Sequence, residues 1–87
     1  MITIETSGFI PIYEQIKKGI KGEISLGVLK ANEALPSIRD LAAELVVNPN
    51  TVARAYRELE HEGFIHTRKG KASFVSENSS SLVRKDT

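Results

Sequence analysis

The stretch from Leu35 to Val75 constrains this chain most. It reads LPSIRDLAAELVVNPNTVARAYRELEHEGFIHTRKGKASFV. Ser37 opens it with a helix cap, and Asp40 stands three residues on, an approximate capping box for the free N–H groups of a first turn. Ile38, Leu41, Ala42 and Leu45 then follow helical spacing, one apolar face for a core. Val46-Val47-Asn48-Pro49 breaks the pattern, because proline disfavours a helical residue before it. A second helix follows, with Asn50 as a cap candidate. Val52, Ala55, Tyr56 and Leu59 share one face, while Asn50, Arg54, Arg57 and His61 share the opposite one. Gly63 ends it. Phe64 to Val75 carries two β-compatible runs about Lys69-Gly70-Lys71, the pattern of a hairpin with a cationic tip.

Two short helices joined by about four residues, then a basic hairpin, suit a winged helix-turn-helix. The expected fold is therefore mainly α with a small β-hairpin, three helices plus a wing. The first helix starts at Pro11, where a missing N–H does no harm. Ile12, Ile16, Ile20 and Ile24 recur every four residues beside Tyr13, with Glu14, Lys17, Lys18 and Lys21 assigned to the other side. Gly19 and Gly22 weaken this helix by up to about 1 kcal/mol each, and Gly27 is its stop. Residues 28–34 read as a connector. The expected organisation is an N-terminal arm at 1–10, the module at 11–76 and a linker or tail at 77–87. Within the arm, Ile2 to Ile4 suit an extended segment, a brief edge strand or a loose terminus alike.

Composition excludes more than it proves. An 87-residue chain makes one small domain. It has no cysteine, so disulfides and thiolate metal sites are out. No apolar run approaches membrane-spanning length, which together with the missing leader makes a cytoplasmic chain the expectation. Twelve basic and eleven acidic residues leave a net charge of +1, too little to argue for nucleic acid globally. Between Asn48 and Val75 the balance is five basic residues to three acidic, and the acids fall late in the helix. Catalytic signals fail on spacing. His61-Glu62 and His66 do not make the zinc-protease pattern, and Gly63 breaks the helix between them. Gly22 and Gly27 are spaced like a phosphate loop, but Val28 stands where lysine is needed. No enzyme activity, cofactor or metal is expected.

The residue chemistry favours DNA. A helix start offers free N–H groups and a positive dipole end to phosphate. Asn50, Thr51 and Arg54 lie near that start; asparagine pairs with adenine and arginine with guanine in the major groove. Arg39 is placed for backbone phosphate, and the capping residue Ser37 is counted with it among the DNA-binding residues. Lys69, Gly70 and Lys71 suit a phosphate or minor-groove contact. Arg57 either joins this face or pairs with Glu58 or Glu60, and Arg68 either joins it or serves solubility.

Several runs carry a family pattern: Pro11-Ile-Tyr-Glu-Gln-Ile, Leu35-Pro36-Ser37-Ile38-Arg39, Leu41-Ala42, Asn48-Pro49-Asn50-Thr51-Val52, Ala55-Tyr56, Leu59-Glu60 and Glu62-Gly63. Together they resemble the DNA-binding domain of GntR-family transcriptional regulators over about residues 9–76. The Asn48 to Val52 run is most similar to the short YtrA-like subgroup. The resemblance implies a bacterial repressor that binds a near-palindromic double-stranded operator as a homodimer. The family's DNA contacts fall here on Arg39, Asn50, Thr51, Arg54 and the wing at Lys69 to Lys71. One departure stands out: the family's wing reads Gly-x-Gly before an aromatic, and here Ala72 takes the second glycine's place. Relatives continue into further helices, ligand-binding domains or an aminotransferase-like domain, so Thr87 is expected to end within a longer protein. The intact protein is expected to dimerise, and this chain alone to be monomeric or weakly associating. Two other readings stay open: a winged-helix protein-interaction module, and the front of a pyridoxal-phosphate-dependent fused regulator.

Overall fold

The computed structural model describes residues 3–68 and 72–77. Helix α1 spans Ile12–Ser25, α2 Ile38–Leu45 and α3 Pro49–His61, followed by strands β1, Ile65–Thr67, and β2, Ser73–Val75. The strands pair antiparallel, with Ile65 opposite Val75, His66 opposite Phe74 and Thr67 opposite Ser73. This is the three-helix, one-hairpin winged helix-turn-helix that the hydrophobic spacing implies.

Helix α3 holds the molecule together. It packs on both α1 and α2 and reaches β1. Val52, Ala55, Tyr56 and Leu59 are buried along one of its faces, against Ile16, Ile20 and Ile24 of α1 and Leu41 and Ala42 of α2. Phe64, Ile65 and Val75 close the core from the hairpin. Two expected core positions differ. Ile38 is 37% exposed, because in the first turn of α2 it borders an open groove rather than the core. Leu45 is only partly buried and packs at the edge of the core.

The connector does more than connect. The Asn32 N–H donates to the Val75 carbonyl at 2.8 Å, the Val75 N–H to the Glu33 carbonyl at 2.9 Å, and the Leu35 N–H to the Ser73 carbonyl at 2.8 Å. Residues 32–35 thus line the second edge of β2, leaving β2 paired on both sides. Asn32 enters this segment at φ 67°, a left-handed conformation that asparagine tolerates. The N-terminal arm is tied down by one side chain. Gln15 accepts from the Glu5 N–H at 2.7 Å and donates to the Glu5 and Ile10 carbonyls at 2.7 and 2.9 Å. Residues 3–5 form no strand, so of the readings open for the arm the edge strand is not formed there.

All three helices end in the same kind of turn. After α1, Gly27 adopts φ 79°, and after α3, Gly63 adopts φ 91°. After α2 that place belongs to Val46, at φ 57° and ψ 52°. Its N–H donates to Ala43, and the Val47 N–H reaches back to Ala42 at 3.0 Å. A β-branched residue in this region is strained, by about 1–2 kcal/mol. Yet Val46 is 89% exposed and gains no burial in return.

Candidate nucleic-acid interface

Two caps set the geometry of the helix-turn-helix. The Ser37 hydroxyl accepts from the Asp40 N–H at 3.0 Å. The return bond of a full capping box, from the Asp40 side chain, is not made among the described residues. At α3 the cap is Asn48, not Asn50: its Oδ1 accepts from the Asn50 N–H at 2.8 Å, and Pro49 takes the first helical position. This difference has a consequence. With Asn48 occupied in capping, the Asn50 side chain is left exposed at the helix start. No acidic residue sits in that first turn, so the positive end of the α3 dipole is uncompensated.

Most of the candidate residues lie at the surface of α2 and α3. Asn50, Arg54 and Arg57 are exposed and Thr51 is half-buried. Arg39 is exposed in the first turn of α2. Among the described residues neither Arg39 nor Arg57 forms an ion pair, so the pairing of Arg57 with Glu58 or Glu60 is not adopted. Ser37 and Arg57 border an open groove of about 390 Å³ between the start of α2, α3 and the hairpin, together with Ile38, Glu60 and Thr67. Lys69, Gly70 and Lys71 lie outside the described residues.

Arg54 is held. Its guanidinium carbon lies 3.7 Å from the centre of the Tyr13 ring, and its Nε donates to Glu58 Oε2 at 3.1 Å. The other Glu58 oxygen accepts from Lys17 Nζ at 2.9 Å, and Lys17 also donates to Glu62 at 2.5 Å. Lys21 meets the second Glu62 oxygen at 3.1 Å. Lys17 was expected on the solvent side of α1, but it is only 7% exposed. The pairing with two α3 carboxylates explains this, since a buried ammonium needs such partners. Burial pushes the Lys17 pKa down, but the hydrogen bonds to Glu62 and Glu58 outweigh it and raise the net value. The hydrogen bonds from Lys17 and Arg54 lower that of Glu58. Burial raises that of Glu62, and Lys17 and Lys21 more than reverse this.

The hairpin is tied to α3. Glu60 Oε2 accepts from the Thr67 N–H at 3.3 Å. His66 and Phe74 stack with centroids 5.9 Å apart, and the Arg68 guanidinium lies 4.4 Å from the Phe74 ring centre. Arg68 therefore packs on the hairpin, a contact that spacing did not reveal. Tyr13, Lys17 and Glu58 are the other residues that spacing did not single out. The i, i+4 spacing of Arg54 and Glu58 on one helix is the signal that could have found their pairing.

These features define a winged helix-turn-helix with Arg39, Arg54 and Arg57 exposed on α2 and α3. The sequence profile described as "Bacterial regulatory proteins, gntR family" matches residues 12–75. The chain belongs to the GntR family. It is 44% identical over 83 residues to the HTH-type transcriptional repressor YtrA of Bacillus subtilis, an alignment covering 95% of this chain and 64% of that protein. The chain thus spans just under two thirds of that relative's length. The structure of YtrA from Sulfolobus acidocaldarius, described as a GntR-family transcription factor, superposes with a TM-score of 0.84 at 39% identity, over 98% of this chain and 77% of that one. The DNA-binding domain of AraR, solved in complex with its operator ORX1, shares the fold at a TM-score of 0.77 and 22% identity, over 87% of this chain and 95% of that one. No helix among the described residues is long and apolar enough to cross a membrane.

Proposed function

We propose that this chain is the DNA-binding part of a bacterial transcriptional regulator, and that the intact protein acts as a repressor. One observation carries the reading. The start of α3 presents the positive end of its dipole, an exposed Asn50 and no acidic residue, and Arg39 on α2 and Arg57 further along α3 are exposed and unpaired among the described residues. In the proposed complex the first turns of α3 enter the major groove. Asn50, Thr51 and Arg54 read base edges; Ser37, Arg39 and Arg57 hold phosphates. Lys69, Gly70 and Lys71 grip the backbone or minor groove from the wing. Residues 11–76 are the binding module, 1–10 an arm and 77–87 a linker.

Two copies on a near-palindromic operator satisfy the geometry of such modules. The intact protein works as a homodimer in the cytoplasm, and this chain performs no catalysis. The repressor named YtrA and the operator complex of AraR support DNA over a protein ligand. Selection of duplexes from a random-sequence pool by the 87-residue chain tests the reading. An enriched motif with half-sites in inverted repeat is the expected outcome, bound with strong salt dependence. Failure to enrich any sequence, with salt-insensitive or undetectable binding, would overturn it.

A further inference from the structure

Arg54 is the strongest base-reading candidate in the chain, and its conformation is constrained from two sides before any DNA arrives. Its guanidinium carbon sits over the Tyr13 ring, 3.7 Å from the ring centre. Its Nε is spent on Glu58. Among the described residues, neither terminal Nη group makes a hydrogen bond, and the side chain keeps 52% of its exposure. What remains open is the end-on edge, the pair of Nη donors that spans the O6 and N7 acceptors of guanine. Glu58 is itself fixed, because Lys17 occupies its other oxygen at 2.9 Å. Lys17 in turn is buried and anchored by Glu62. A chain of fixed charges therefore runs from the α1–α3 seam to the recognition face.

From this geometry we infer that Tyr13 and Glu58 are specificity-determining positioning residues. They hold Arg54 with its Nη edge outward, so that end-on pairing with guanine costs little side-chain ordering. An unheld arginine loses rotamer freedom on binding, at a cost of the same size as a good contact. Glu58 has a second effect. Its carboxylate lies near the DNA-facing surface and disfavours phosphate, so it lowers binding to all sequences while sharpening the choice among them. Glu58 thus trades general affinity for discrimination. The inference rests on the DNA-binding reading above and assigns roles to two residues which that reading leaves out.

The test uses the 87-residue chain, the duplex it selects from a random pool, a single-substitution series of that duplex, and one random-sequence duplex. Arg54→Ala comes first and locates the guanine whose replacement no longer matters. Tyr13→Leu keeps an apolar side chain on α1 but removes the aromatic face. It is expected to cut discrimination at that guanine by about fivefold, the scale of a cation–π contact, while random-duplex binding stays level. Tyr13→Phe, which keeps the ring, is expected to restore wild-type discrimination. Glu58→Gln is expected to tighten random-duplex binding and loosen discrimination at the same base pair, a pair of opposite movements that simple destabilisation does not produce.

Thermal unfolding of each variant checks the fold. The upfield ring-current shift of the Arg54 side-chain protons, lost in Tyr13→Leu and kept in Tyr13→Phe, checks the contact without DNA. If Arg54→Ala erases one base preference while Tyr13→Leu leaves it whole, the platform is wrong and the DNA reading stands. If Arg54→Ala changes no preference, the assignment of Arg54 falls and the platform with it. If Glu58→Gln tightens selected and random duplexes by the same factor, Glu58 acts by charge alone and not by positioning.

Discussion

Val46 shows most clearly how a single residue departs from what its place requires. Gly27 and Gly63 end α1 and α3 with positive φ, and Val46 does the same work for α2 with a β-branched side chain. Because Val46 is almost fully exposed, replacing it removes strain and little else. Val46→Gly is expected to stabilise the chain by about 1 kcal/mol, after the extra freedom of glycine in the unfolded state is set against the relief. Urea unfolding measures this; a loss of stability would mean that Val46 is held by contacts absent here. Gly22 in α1 makes the complementary case. Nothing lies within 4 Å of where its Cβ would stand, so close packing does not explain it. Gly22→Ala is expected to gain up to about 1 kcal/mol, read as a rise in Tm. Spacing exposed the apolar faces of α1 and α3 residue by residue, because helical period alone decides them. It could not expose Val46, since a left-handed valine has no sequence signature, nor choose Asn48 over Asn50 as a cap, since both suit the role.

At the scale of elements, the seam between α1 and α3 is the part least legible beforehand. Lys17 belongs by period to the edge of the α1 stripe, and only the approach of Glu58 and Glu62 from a helix 41 to 45 residues away turns it inward. That long-range pairing gives the fold a pH dependence of known sign. Glu58 and Glu62 have folded pKa values below their ordinary 4.5, so their contribution is present above about 4.5 and fades as pH falls through the folded values. Lys17 runs the other way. Its folded value lies above the ordinary 10.5, so its contribution is full below 10.5 and lost only at still higher pH. The seam is thus intact at neutral pH and fails on acidification. Glu62→Gln is expected to cost on the order of 1 kcal/mol at neutral pH, a figure discounted for the half-exposed carboxylate. It should also flatten the fall in Tm as pH drops below about 4.5. Parallel acid limbs for variant and wild type would contradict the pairing. The hairpin was legible from its flanking runs. The pairing of residues 32–35 with β2 was not, because Asn32 to Leu35 shows neither alternation nor β-branched residues.

At the scale of the molecule, α3 supplies both the centre of the core and the proposed reading surface, and this economy makes the domain sensitive. Leu59 is fully buried, so Leu59→Ala is expected to lose about 2–5 kcal/mol. Leu45, at the core's edge, is expected to lose less than half as much on the same change. Equal losses in chemical denaturation would show that the edge position is as tightly packed as the centre. The proposed assembly is open to sedimentation: free chain is expected as a monomer at micromolar concentration, with two copies gathering on an inverted repeat. The central claim is that the start of α3 and the first turn of α2 form the surface that meets DNA. Titration of isotope-labelled chain with its selected duplex, followed by amide and side-chain NMR shifts, tests it most directly. The largest changes are expected at Ser37, Arg39, Asn50, Thr51, Arg54 and Arg57, with Leu29 and Glu44, which line a different pocket beside Ile20 and Leu41, unmoved. Changes centred on Leu29 and Glu44, with the start of α3 silent, would contradict it.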